Sequence, residues 1–268
     1  PFVVKRKARM TTNAAFEALR TQAPLVHCIT NYVAMSIAAN VTLAAGASPA
    51  MIHAPEEVAD FVPVARALTI NIGTLSAPWV DSMKAAAVAA NAANVPWVLD
   101  PVAHFATPYR AKTVLDLLAL IPTVIRGNAS EIIALAGGAG SGKGADSGDS
   151  VAAAQNAASA LAARHGCIVA VSGPVDFITD SKRCAHVSGG SDIMPKITAL
   201  GCSLTALVGA YAAVAPSFEA TVAAFLHFAE AGERAGTAAH GPGSFSVAFL
   251  DALHALQPGD LNEARVSW

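Results

Sequence analysis

Short apolar runs that each stop at a glycine or polar residue alternate with longer stretches of helical spacing, and this rhythm restricts the chain to few architectures. Arg66–Ile72 ends at Gly73, Trp97–Leu99 at Asp100-Pro101, Thr123–Ile125 at Arg126-Gly127-Asn128, and Cys167–Val171 at Ser172-Gly173. Pro78–Asn94 carries a helical pattern with Ser76 or Ala77 near its N-cap. Thr107 and Pro108 are an N-cap and first-turn pair for the next helix, and Ser130–Ala136 reads as a short one. Parallel strands need a long crossover to return to the same end of a sheet, so the pattern predicts an α/β chain with a mostly parallel sheet.

After Pro174 the pattern changes. Phe177–Thr179 and Cys184–Val187 flank Asp180-Ser181-Lys182-Arg183 and read as a hairpin on the sheet edge. The last third reads as helices over Ala199–Ala213, Phe218–Ala239 and Ser244–Leu256, with a turn at His240-Gly241-Pro242-Gly243. There is no internal repeat and no interdomain linker, so residues 1–268 are expected to form a single domain.

Gly73, Asp100, Arg126 and Ser172 each follow the carboxyl end of a predicted parallel strand, the edge where open α/β sheets bind ligands. Taken singly they also read as a turn glycine, a cap, a surface ion-pair partner and a loop residue. Together at one edge they point to a shared site. Gly201-Cys202, at the start of an uncharged helix, can join them. Free N–H groups and the positive end of the helix dipole suit an anion there, and the same field would lower the pKa of the Cys202 thiol. A buried cysteine serving only as a small hydrophobe is the other reading of Cys202.

Charged residues are 13% of the chain and hydrophobic ones 54%, more apolar than a monomer's surface needs, so a homo-oligomer is expected. A net charge of −2, without Lys/Arg runs among aromatics, argues against nucleic acid. The charge-free stretch Ile197–Phe218 is diluted by glycine, serine, threonine and alanine, and reads as a buried helix rather than a membrane span. Four cysteines without CxxC spacing, and no leader-like N-terminus, suggest the cytoplasm. Pro1–Met10 is treated as a frayed or added terminus.

Gly137-Gly-Ala-Gly-Ser-Gly142-Lys143 imitates a phosphate-binding loop but is followed by Gly144, where Ser or Thr should hold Mg²⁺, and it follows a helix instead of a strand. Gly137–Ser150 therefore reads as a mobile surface loop. The histidines show no zinc spacing, and His104 reads as a loop residue.

Pro24–Asn31, Gly46–Met51, Asn71–Leu75, Leu99–Val102, Arg126–Glu131 and Gly241–Phe245, in that order, resemble the hydroxyethylthiazole kinase family of the ribokinase-like superfamily. The resemblance implies a three-layer αβα sandwich with helices on both faces of the sheet. It also implies transfer of phosphate from ATP, with Mg²⁺, to the hydroxyl of 5-(2-hydroxyethyl)-4-methylthiazole, and a homotrimer with sites between subunits. By the same resemblance Arg126, Ser172 and Asn128 fall on the ATP side. Met51, Ala199, Asn31 and Gly73 fall on the thiazole side, Asp100 and Glu131 match the metal-organising acids, and Gly201 and Cys202 form the catalytic helix start. The family usually reads Thr-Gly-Ala-Gly-Cys where this chain has Thr198-Ala199-Leu200-Gly201-Cys202, and Thr where it has Ser172. Ala199 adds a methyl group against the substrate, and Leu200 is bulkier than the usual residue. Kinases of hydroxymethylpyrimidine or of a pyridoxal-like alcohol, and a non-catalytic thiazole or nucleotide sensor, are the alternatives.

Overall fold

In the computed structural model, which describes residues 9–138 and 151–268, the predicted rhythm becomes one nine-stranded sheet. Its strands are β1 (Leu25–Ile29), β2 (Ser48–Ala50), β3 (Ala67–Asn71), β4 (Trp97–Asp100), β5 (Val124–Asn128), β6 (Ile168–Ser172), β7 (Val175–Thr179), β8 (Cys184–Ser188) and β9 (Val266–Ser267). They lie in the order β2-β1-β3-β4-β5-β6-β7-β8-β9, parallel from β2 to β6 and antiparallel thereafter. The expected hairpin forms from β7 and β8, but it is not the edge, because Val266 and Ser267 pair outside it. Residues 1–8 and 139–150, which carry most of the N-terminal and glycine-loop expectations, lie outside the described residues.

The helices are α1 (Thr12–Gln22), α2 (Met35–Ala45), α3 (Val58–Phe61), α4 (Ala77–Ala93), α5 (Pro108–Leu118), α6 (Ala129–Leu135), α7 (Val151–His165), α8 (Leu200–Ala212), α9 (Ser217–Ala238) and α10 (Pro242–Ala255). Alternation along the strands divides their side chains between two cores. Val26, Cys28, Ala67, Val98, Val124 and Ala170 pack under α1, α2, α8, α9 and α10. Ile29, Leu68, Ile70, Trp97, Leu99 and Ile125 pack under α3 to α7. The result is helix, sheet, helix. Gly209 lets α8 press onto β3, since a Cβ there would lie 2.4 Å from Thr69 Cγ2. Among the described residues no helix is long and apolar enough to cross a membrane.

Tyr211 of α8 and His227 of α9 are wholly buried, with Tyr211 Oη 3.0 Å from His227 Nδ1 and Phe16 packed on the imidazole. Burial, reinforced by the Arg20 and Arg234 charges, pushes the His227 pKa down to about 3. The unfolded chain, with an ordinary histidine near 6.5, therefore binds the extra proton between the two values. Stability is full above pH ~6.5 and falls as the pH drops toward 3, by an amount on the order of 3–5 kcal/mol. Denaturant midpoints between pH 7 and pH 4 are expected to fall less for His227→Gln than for the parent. Equal slopes would show that the imidazole does not resist protonation.

Candidate active site

The strand order reverses between β1 and β3, because β2 flanks β1 on one side and β3 to β6 continue on the other. Loops leaving two such strands diverge, and the crevice they leave is the usual ligand site of an open α/β sheet. Asn31 follows β1 here, and Asn71 and Gly73 close β3. The fit is tight. A Cβ on Gly73 would meet Asn31 Nδ2 at 2.5 Å, so glycine is what lets the two loops meet. Arg110 of α5 fixes this loop from outside, donating to the carbonyls of Ile72, Val102 and Gly73 at 2.9, 2.9 and 2.6 Å.

Asn71, Asp100 and Arg126 stand on the α8 face of neighbouring strands, with Asn71 directly opposite Asp100. Asp100 is fully buried; its Oδ2 accepts from Asn71 Nδ2 and Thr205 Oγ1, each at 2.7 Å, and lies 3.7 Å from Arg126 Nη1. Asp100 Oδ1 is buried with no partner. Burial raises the Asp100 pKa above the ordinary carboxylate range, Arg126 opposes the rise, and the Glu131 charge adds to it. Arg126 donates through Nη2 to Ser172 Oγ at 2.6 Å, and its guanidinium lies against the start of α8. A Cβ at Gly201 would come within 3.1 Å of Nη2, so that approach depends on glycine.

Helix α8 opens with Ala199 in the left-handed region at φ 59°, a conformation that costs an L side chain roughly 1 kcal/mol and accounts for the glycine usual there in the resembling pattern. The first helical bond runs from Ser203 N to Ala199 O at 3.0 Å, which leaves the Gly201 and Cys202 N–H groups ahead of it for an anion. Leu200 is 4% exposed and its side chain joins the core under α8. The thiol of Cys202 corrects the sequence reading. Burial, with the Asp100 charge behind it, pushes its pKa up to about 11, against Arg126 and hydrogen bonds from Asn71 and Asn31. Loss of hydration outweighs the helix field, and the side chain is a neutral thiol at pH 7.

Glu131 forms a capping box at the start of α6. Its Oε2 accepts from Asn128 N at 2.8 Å while Asn128 Oδ1 accepts from Glu131 N at 3.0 Å, and its Oε1 accepts from Ala103 N at 3.0 Å. The cap uses the Asn128 oxygen, and each Glu131 oxygen keeps a lone pair. Among the described residues no three His, Cys, Asp or Glu side chains cluster to hold a metal. The unpartnered Asp100 Oδ1 beside Glu131 fits the outer ligands of a Mg²⁺ ion that takes its other oxygens from phosphates and water.

Met51 stands just past β2, half-buried, across β1 from Asn71. Past the end of β1, where His53 Nε2 meets Thr30, the His53 ring stacks on Trp79 with centroids 4.5 Å apart, and the exposed Tyr32 leans on the same indole at 4.6 Å. Asp176 enters the same edge from β7. Its Oδ1 accepts from Gly173 N at 2.9 Å, and burial pushes its carboxyl up to about 7 against the pull of Arg126. The structure joins Asn31, Gly73, Asp100, Arg126, Ser172, Gly201 and Cys202 into one constellation, with Glu131 and Asn128 beside it. Met51 lies at its outer end. His104 is buried, its Nδ1 3.3 Å from the Pro101 carbonyl. Sequence reasoning missed Asn71, Thr205, Arg110 and Asp176. An asparagine ending an otherwise apolar strand was the available signal for the first.

The sequence profile of the Hydroxyethylthiazole kinase family matches residues 16–259. A protein of Roseobacter denitrificans named hydroxyethylthiazole kinase is 64% identical over 252 residues, covering 94% of this chain and 98% of its own. The structure of a hydroxyethylthiazole kinase protein from Pyrococcus horikoshii OT3 superposes with a TM-score of 0.85 at 38% identity, covering 92% of this chain and 93% of that one. A Bacillus subtilis pyridoxal kinase in an ADP complex shares the fold, with a TM-score of 0.60 at 18% identity, covering 78% of this chain and 91% of its own.

Proposed function

The chain belongs to the hydroxyethylthiazole kinase family, and from that membership and the crevice between β1 and β3 we infer how its residues divide the work. The protein is a kinase that uses ATP to phosphorylate the hydroxyl of 5-(2-hydroxyethyl)-4-methylthiazole, giving the thiazole phosphate used to make thiamine diphosphate. Phosphoryl transfer passes through a loose transition state, so the protein's task is alignment and charge neutralisation.

Arg126, tethered by Ser172, and the Asn128 loop take the ATP phosphates. The N–H groups of Gly201 and Cys202 receive charge on the transferring group, much as an oxyanion hole does. Asn31, Gly73, Met51 and Ala199 bound the thiazole. Asp100 and Glu131 would hold Mg²⁺, which would supply charge neutralisation for the transfer. The sulfur of Cys202 receives the acceptor hydroxyl as a hydrogen bond and points its oxygen at the phosphate. The protein assembles as a trimer that completes each crevice with a neighbouring subunit, which accounts for the apolar composition and the exposed Tyr32 and Val33 at the mouth. It works in the cytoplasm.

The observation that carries this reading is the continuous polar line from Asn31 through Asn71, Asp100 and Arg126 to Ser172, beside a helix N-terminus. The test is ADP release with MgATP and hydroxyethylthiazole, run beside hydroxymethylpyrimidine, pyridoxal and a blank without acceptor. Release with the thiazole should exceed release with either other alcohol by about tenfold or more. Release with another acceptor would move the substrate. Silence with all of them, while ATP or thiazole still raised the Tm, would indicate a sensor.

A further inference from the structure

Asparagine is disfavoured in strands, and burying an amide is costly unless each polar atom finds a partner. Asn71 nevertheless ends β3 at 2% exposure. Its Oδ1 accepts from Asn31 Nδ2 at 2.8 Å and from Gly73 N at 2.9 Å, and its Nδ2 donates to Asp100 Oδ2 at 2.7 Å and also faces the Cys202 sulfur. Asn31 is as fully committed. Its Oδ1 accepts from Val33 N at 3.0 Å and Ala34 N at 2.9 Å, and its Nδ2 also reaches Cys202 Sγ at 3.5 Å.

These bonds have only one consistent direction. Backbone N–H groups donate and never accept, so Val33 and Ala34 fix which end of the Asn31 amide is oxygen. The Asn31 nitrogen must then face Asn71 and Cys202. Asn71 in turn must present oxygen to Asn31 and Gly73, and nitrogen to Asp100. A flip of either amide would set nitrogen against N–H donors. The N–H groups at the start of α2 and at Gly73 thus dictate the polarity of the line, and the sulfur at its end receives a hydrogen bond from the protein. Its own S–H is left to point elsewhere.

We propose that Asn71 is a positioning residue for phosphoryl transfer: bridging Asp100 and Asn31, it locks the Asn31 amide so that the Cys202 sulfur is held in place for the acceptor hydroxyl. The assignment rests on the role given to Cys202 above. It makes Asn71 the link between the acid that faces the phosphates and the atom that faces the alcohol; Asp100 keeps Thr205 and Arg126 when Asn71 is removed, so the substitution loosens the sulfur end of the transfer.

A double-mutant cycle tests this. Asn71→Ala, and Asn71→Thr in case the alanine variant fails to fold, are each made in the parent and in Cys202→Ala, with kcat and both KM values measured. In the parent background kcat is expected to fall by about ten- to thirtyfold with KM for ATP nearly unchanged, and in Cys202→Ala by less than about twofold, because the residue acts through the sulfur. Equal losses in both backgrounds, or a loss confined to KM for ATP, would overturn the assignment. If Cys202→Ala alone matches the parent, it is the role of Cys202 that fails, and that of Asn71 goes with it.

Discussion

Asp100→Asn is expected to lower kcat by about 10³-fold with the fold left standing. The substitution is close to isosteric. One Asp100 oxygen, Oδ2, receives both Asn71 Nδ2 and Thr205 Oγ1. An asparagine can place its carbonyl oxygen there and keep both bonds. What it cannot keep is the negative charge 3.7 Å from Arg126 and the acceptor at Oδ1, a buried carboxylate oxygen with no partner among the described residues. Breaking a buried ion pair by removing one partner commonly costs about 3–5 kcal/mol. The cost here should be smaller, because Arg126 keeps Ser172 and the desolvation of a fully buried carboxylate is relieved. Loss of activity is therefore expected to exceed loss of stability by a wide margin. Steady-state kinetics beside a denaturant titration decides it: kcat within tenfold of the parent would remove Asp100 from the transfer step.

The legible part of this site was the part that depends on strand ends. Asp100, Arg126 and Ser172 were readable because β4, β5 and β6 are short apolar runs with a polar stop, and parallel strands bring such stops to one edge. The first sixty residues gave no elements to the same reading. Strand β1 carries His27 and Cys28 among its apolar residues, and α2 has Ala34 at its N-cap, with no capping side chain, so neither shows the usual local signals. The switch point between β1 and β3 was invisible in consequence. Asn71 was absorbed into its strand, and Thr205 into a buried helix. Their importance lies in the hydrogen bonds they give Asp100, and the way the Asn71 amide faces is fixed by Gly73 and, through Asn31, by the loop carrying Val33 and Ala34. The edge strand β9 is two residues long, too short for periodicity to reveal. That Leu200 meets the core was not readable either, because spacing along the chain does not say which face of the first turn of α8 is buried.

Cys202→Ala is expected to lower kcat by about 10²-fold, at the low end of what a positioned base contributes, and Cys202→Asp to retain or exceed the parent's activity. The sequence alone suggested a thiolate poised by the helix dipole. Burial reverses that, and a thiol with a pKa of about 11 is protonated at pH 7. A neutral thiol is a weak proton acceptor, so its contribution is mostly to hold and aim the hydroxyl. This is enough for measurable turnover because the alcohol loses its proton late in a loose transition state. An aspartate at 202 would do both jobs if it stays ionised. Arg126 already favours negative charge on this side chain and Asp100 opposes it, so the result reports which neighbour prevails. The order of kcat should be aspartate at or above cysteine, with alanine far below. Alanine equal to cysteine would show that the sulfur does not touch the reaction. Aspartate falling to the level of alanine would show that repulsion from Asp100 keeps the new carboxyl protonated, and that the cysteine is retained because a neutral side chain can stand beside that acid.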